Sequence, residues 1–231
     1  MEIFRRWWSR LWDGLKLDNW RKSVRSPGAG FGRCLLCLEP IAARLICAGC
    51  ERDLPWRGSQ NRGAIGSAAP RFATFSYAFP IRQLIAQAKF SDGVGIASLL
   101  GQLMAENPPE TDLAGFVVCA LPIAYARHVQ RGYNQAWLLA QAVARGLGLV
   151  LLPAPVLRRT HTRPQRELGR RARYRNLRGA FRASPAVAGQ RILLIDDVLT
   201  TGATFHCATR ALLRAGAAQV VAWACASVEA G

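Results

Sequence analysis

Two hydrophobic periodicities alternate along most of this chain. RFATFSYAF (71–79) and GFVVCALP (115–122) are short, apolar and extended in pattern, whereas IRQLIAQAKF (81–90) and IASLLGQLMAE (96–106) repeat at helical spacing. NQAWLLAQAVARGLGL sets Ala136, Leu139, Ala140, Val143 and Leu147 at i, i+3, i+4, i+7 and i+11, one stripe of a helix. VLLPAPVLRRT (150–160), RILLIDDV (191–198) and VVAWACAS (220–227) are three more strand candidates, with the helix TFHCATRALLRAG (204–216) between the last two. Such alternation predicts an α/β fold, a mostly parallel sheet flanked by helices.

The pattern breaks before residue 72. Residues 1–30 combine Trp7, Trp8, Trp12 and Trp20 with seven Lys or Arg and end in SPGAG, which predicts an amphipathic N-terminal arm and a linker. Residues 31–57 hold Cys34, Cys37, Cys47 and Cys50 as C-x2-C-x9-C-x2-C. Two such turns facing each other bring four sulfurs to one point and suit structural zinc; iron accepts the same thiolates, and two disulfides belong to an oxidising compartment. GSQNRGAIGSAAP (58–70) then reads as a hinge, and residues 72–231 form the α/β domain. Cys119, Cys207 and Cys225 lie in apolar segments, as small core residues do.

The longest apolar stretches, such as 115–123, fall short of the roughly 18–20 residues that span a bilayer. No apolar h-region follows the basic start, so a soluble, cytoplasmic protein is expected. A net charge of +17, carried by 28 Arg and three Lys against 14 acids, attracts phosphates and nucleic acid. Ten arginines and one acid, Glu167, fall between Arg158 and Arg182. That density is compatible with a solvated face and also with phosphate recognition, for which the guanidinium fork is suited.

Against this background two adjacent acids stand out in ILLIDDVLTTGAT (192–204). Arg191–Ile195 is the expected strand, with Asp196 and Asp197 at its carboxyl end, and the turn leads into a helix near Thr204. In α/β sheets ligands bind beyond the carboxyl ends of strands, where helix N-termini and successive N–H groups cradle phosphate. Val198, Leu199, Thr200, Thr201, Gly202, Ala203 and Thr204 would form that cradle, with the hydroxyls as extra donors and Gly202 permitting close approach. Two neighbouring carboxylates can accept from vicinal ribose hydroxyls or hold Mg2+. A sugar phosphate fits both halves. No G-x4-G-K-[ST] is present, and GAGFGR (28–33) leads into the cysteine segment, which argues against P-loop and dinucleotide-binding enzymes. His128, His161 and His206 show no triad spacing.

LLIDDVLTTGAT resembles the phosphoribosyl-pyrophosphate (PRPP) motif of type I phosphoribosyltransferases. More narrowly, the chain resembles the ComF/GntX family, which is linked to natural competence and use of external DNA. The likeness rests on the four-cysteine segment, AKF (88–90), LPIAYARHVQRGYNQA (121–136) and RTHTRPQRELGRRARYRNLRGAF (159–181), and it runs from about Gly32 to Val228. It implies a type I phosphoribosyltransferase-like fold with Asp196 and Asp197 on the ribose or Mg2+ and Leu199–Thr204 around the 5'-phosphate. Lys89, the only lysine beyond residue 22, and Arg131 become candidates for the pyrophosphate, with Asn134 and Gln135 either ligand contacts or helix caps. Arg163, Gln165 and Arg166 would belong to a segment closing over the substrate, with Glu167 its one acid. Implied chemistry is Mg2+-dependent phosphoribosyl transfer with pyrophosphate release; the alternative is a PRPP-responsive, single-stranded-DNA-binding accessory of DNA uptake without turnover, working with competence proteins. A homodimer is a further expectation, since many proteins of this fold pair up. The Trp-rich arm is longer than the resemblance explains, and Tyr133 replaces a commoner phenylalanine.

Overall fold

Over residues 32–42, 45–57, 69–89, 93–124, 128–129, 132–159, 177 and 179–228, which the computed structural model describes, the alternating periodicities become alternating strands and helices. The chain parts into two compact units between Pro55 and Trp56. In the first, strands β1 (Gly32–Arg33) and β2 (Pro40–Ile41) pair antiparallel and are followed by helix α1 (Ala48–Arg52). Among its described residues Leu36, Ile46 and Leu54 are buried beside Cys34 and Cys50.

The second unit runs through β3 (Arg71–Ser76), α2 (Ile81–Gln87), α3 (Val94–Glu106), β4 (Phe116–Ala120), α4 (Gln135–Leu147) and β5 (Val150–Leu151). It continues with β6 (Leu157–Arg159), β7 (Phe181–Ala183), β8 (Arg191–Leu199), α5 (Ala203–Arg214) and β9 (Gln219–Ser227). Five strands form one sheet in the order β3-β9-β8-β4-β5, and every pairing in it is parallel. Ile192, Leu193, Leu194 and Ile195 of the central β8 are fully buried, as a parallel strand covered on both faces requires. Phe205, Ala208, Ala211 and Leu212 of α5 pack with Ile192, Leu194, Val220, Ala222 and Ala224 in one core. Gly101 of α3 lets α4 come close, since a Cβ there would lie 2.6 Å from the Ala142 Cβ.

Two expectations change. VLLPAPVLRRT is not one strand: Pro153 and Pro155 cannot donate to a ladder, so β5 stops at Leu151, a 3-10 turn covers Ala154–Val156, and β6 pairs antiparallel with β7 outside the main sheet. The strand expected to stop at Ile195 continues to Leu199 and takes both aspartates with it. The following helix starts at Ala203, close to the expected Thr204.

The topology locates a crevice. From β4 the chain moves outward through α4 to β5, and from β8 it moves the other way through α5 to β9. Right-handed crossovers in opposite directions place α4 and α5 on opposite faces, so the carboxyl ends of β4 and β8 flank the topological switch point.

Candidate functional site

β4 and β8 end at different heights. Their register closes with Ala120 opposite Ile195, and the last bond between them runs from the Leu121 N–H to the Ile195 carbonyl at 2.9 Å. β8 goes on beside β9, pairing Asp196 with Ala224, Val198 with Ala226 and Leu199 with Ser227. Asp196 and Asp197 therefore project beyond β4, held by β9 on one side and facing the switch-point crevice on the other. The two carboxyls also interact with each other, side chain to side chain. The Lys89 Nζ lies 3.9 Å from Asp197 Oδ2, while the Arg159 charge acts on Asp196.

Burial pushes the Asp196 carboxyl well above the usual carboxylate range, and the Asp197 charge adds to the rise. The Asp197 backbone N–H, which donates to Asp196 Oδ1 at 2.9 Å, and the Arg159 guanidinium oppose it without cancelling it. A carboxyl held this way gains by meeting a cation or hydroxyl donors. Asp197 and burial also act on Cys225: burial raises its thiol, and the Asp197 charge raises it further. Cys119 is raised to about 12 by burial, and Cys207 is buried as well. These three thiols are core residues, as expected.

After Leu199 the chain turns through Thr200, Thr201 and Gly202 into α5. Gly202 is the helix N-cap with φ 73°, a left-handed conformation, and it supplies no capping side chain. Thr201 Oγ1 accepts from the Ala203 N–H at 3.4 Å. The first turn of a helix presents N–H groups that lack intrahelical acceptors, and the helix dipole favours negative charge there. Carboxylates, hydroxyls and an open helix start thus lie within one turn of chain. A side chain at Gly202 strains this turn by about 1–2 kcal/mol. Gly202→Val is accordingly expected to lower the thermal midpoint, and a melt matching the unsubstituted protein would show that the turn does not need glycine.

The remaining predicted residues divide. Asn134 is a cap: its Oδ1 accepts from the Ala136 N–H at 3.1 Å, and its Nδ2 donates to the Leu121 carbonyl at 3.0 Å, tying the start of α4 to the end of β4. Gln135 is buried and donates through Nε2 to the Ala88 carbonyl at 3.3 Å. The hydroxyl by which Tyr133 departs from phenylalanine donates to the same carbonyl at 2.6 Å. Periodicity and spacing gave no hint of these contacts, because they join residues more than forty apart. Arg159 is likewise an unforeseen neighbour of the acids. His206 sits in the first turn of α5, and His128 is exposed. Arg131, His161, Arg163, Gln165, Arg166, Glu167 and the arm of residues 1–30 lie outside the described residues.

In the first unit Cys34, Cys37, Cys47 and Cys50 converge, their Sγ atoms all within 4.8 Å of one another. Cys37 and Cys47 Sγ are 3.6 Å apart, and no disulfide joins the four cysteines. A tetrahedral metal with sulfur at about 2.3 Å has S···S edges of about 3.8 Å, so the cluster fits a thiophilic ion. The Cys47 N–H donates to Cys34 Sγ at 3.3 Å and the Cys50 N–H to Cys47 Sγ at 3.4 Å, bonds that favour thiolates. That second bond is the main cause lowering the Cys47 thiol to about 7, whereas burial raises Cys37 and Cys50.

The sequence matches the family described as Phosphoribosyl transferase domain over residues 134–229, the part that contains β8, the turn and α5. It is also similar to DNA utilization protein YhgH of Escherichia coli K12, 39% identical over 199 residues that cover 82% of each chain. The chain belongs to the ComF/GntX family. Competence protein F of Haemophilus influenzae is a further ComF/GntX relative, 30% identical over 207 residues covering 83% of this chain and 89% of that one. Among solved structures, glutamine PRPP amidotransferase from B. subtilis is similar at 20% identity and TM-score 0.41, over 60% of this chain and 30% of that one. In this ComF/GntX protein the fold is that of a type I phosphoribosyltransferase, a parallel five-stranded sheet with helices, and a four-cysteine cluster precedes it. Among the described residues no helix is long and apolar enough to cross a membrane.

Proposed function

We propose that this crevice binds PRPP with Mg2+ and transfers its phosphoribosyl group, releasing pyrophosphate, in the use of external DNA. The observation that carries the reading is the overrun of β8 past β4, which presents Asp196 and Asp197 beside Lys89 at an open helix start. Val198–Thr204 receive the 5'-phosphate, the two acids take the ribose hydroxyls or the metal, and Lys89 takes the pyrophosphate, joined by Arg131. Hard carboxylate oxygens suit Mg2+, whose role is to stabilise charge on the departing pyrophosphate. The nucleophile attacks C1 of the ribose as the bond to pyrophosphate breaks, so positioning and charge supply most of the rate. The four cysteines hold zinc as a structural ion. The protein works in the cytoplasm.

A second reading has its own support: relatives named for DNA utilization and competence, and a net charge of +17. In it the protein binds PRPP and single-stranded DNA, together with DNA-uptake proteins, and turns nothing over. Calorimetry of PRPP with and without Mg2+, paired with a pyrophosphate-release assay offering free bases and single-stranded DNA, separates the two. Release that disappears in Asp196→Ala/Asp197→Ala supports the transferase; saturable binding without release supports the accessory. Absence of any PRPP binding overturns both.

A further inference from the structure

Lys89 follows the last turn of α2, and a lysine stem with four methylenes ordinarily samples a wide volume. Here the peptide immediately before it is pinned from three directions. The Ala88 carbonyl accepts from Tyr133 Oη and from Gln135 Nε2, which together use both of its lone pairs. On another side Gly93 packs against it so closely that a Cβ would lie 2.4 Å from Ala88 Cα and 2.7 Å from its carbonyl carbon. Ala88 and Gln135 are each only 3% exposed, so a lost bond leaves a polar group without water to replace its partner.

Between the two donors sits Asn134, which anchors their segment to the Leu121 carbonyl at the end of β4. The segment that opens α4 is thereby fixed to the sheet on one side and grips the Lys89 backbone on the other. With Lys89 Nζ 3.9 Å from Asp197 Oδ2, that grip sets the height of the ammonium at the carboxyl end of β8. We propose that Tyr133 and Gln135 are positioning residues that aim Lys89 into the crevice and thereby set affinity for the pyrophosphate group of the ligand. The ligand half of this statement rests on the PRPP reading above; the aiming of Lys89 does not.

The test uses the full chain with Tyr133→Phe, Gln135→Leu, their combination, and each of these on a Lys89→Met background. Calorimetry with Mg2+-pyrophosphate and with Mg2+-PRPP reads the ligand half. Tyr133→Phe, which removes one hydroxyl and keeps the ring, is expected to weaken pyrophosphate binding about 3- to 10-fold, the double variant more. Those losses should vanish when Lys89 is already methionine. A merely structural tie predicts instead the same loss on either background, and that result overturns the proposal. The second readout is the acylation rate of Lys89 by an amine-directed N-hydroxysuccinimide ester, followed by peptide mass spectrometry; its side chain is 31% exposed. The double variant should label several-fold faster, and Tyr133→Phe should do so in part with its fold intact by circular dichroism. Unchanged labelling overturns the positioning whatever the calorimetry shows. Faster labelling in a protein that binds neither pyrophosphate nor PRPP upholds the positioning and overturns the PRPP reading.

Discussion

Asp196→Asn is expected to make the unliganded protein more stable at neutral and alkaline pH while weakening PRPP binding about 10- to 100-fold, the worth of hydrogen bonds to a charged group. Burial first, and the Asp197 charge second, raise the Asp196 carboxyl in the folded state above its value in the unfolded chain. The folded state then binds more protons than the unfolded one, so stability falls as pH rises from the unfolded carboxylate range, about 4, towards the raised folded value. Below that interval both states carry a neutral carboxyl and the variant has no advantage. Above it the unsubstituted protein bears the cost of a partly buried negative charge, which asparagine lacks at nearly the same shape. Thermal melts at pH 4.5 and pH 8 check this: the gap in midpoint should open with pH, in favour of asparagine. Equal midpoints at pH 8 would mean that burial does not oppose the charge. Loss of affinity together with gain of stability would mark Asp196 as kept for its ligand, because a purely structural residue does not destabilise the fold that contains it.

Much of the architecture was legible in the chain because buried parallel strands are unbroken apolar runs and their crossover helices carry stripes. RILLI, VVAWACA and the Ala136–Leu147 stripe needed no long-range information. The failures are local conflicts that only neighbours resolve. VLLPAPV has strand composition, yet its prolines forbid the ladder, and its two halves went to different sheets. RILLIDDV reached to within one residue of the end of β8, but the narrower strand ending at Ile195 fell short, because polarity marks where burial stops and β9 still had backbone to pair beyond it. The acids, the turn and Lys89 drew notice by residue type alone, and the structure sets Lys89 beside Asp197. What holds Lys89 was not legible, since Tyr133 and Gln135 find the Ala88 carbonyl only after α2, α3 and β4 have packed. Asn134 and Gln135 looked equally like ligand contacts and caps; the structure makes Asn134 the cap, while Gln135 donates to the Ala88 carbonyl.

Removing zinc is expected to unfold residues 32–55 and leave the larger unit intact. Among the described residues, two strands of two residues and a five-residue helix bury too little apolar surface to offset chain entropy, and segments this small usually need a metal or disulfides. Tetrahedral zinc supplies about 10–16 kcal/mol in peptides of this size near neutral pH, far more than those few side chains can. Cys50→Ser deletes a buried ligand and leaves an oxygen donor ill-suited to a site of soft thiolates. It should reduce bound zinc from one equivalent to nearly none by atomic absorption and abolish amide protection across 32–55. Protection in β8, α5 and β9 should persist, because the core around Ile192, Leu194, Phe205 and Ala224 belongs wholly to the other unit. Retained protection of 32–55 in the metal-free, reduced protein would show that the cysteines are packed and not coordinating. Four thiols consumed as two disulfides in the native protein would overturn the metal assignment altogether.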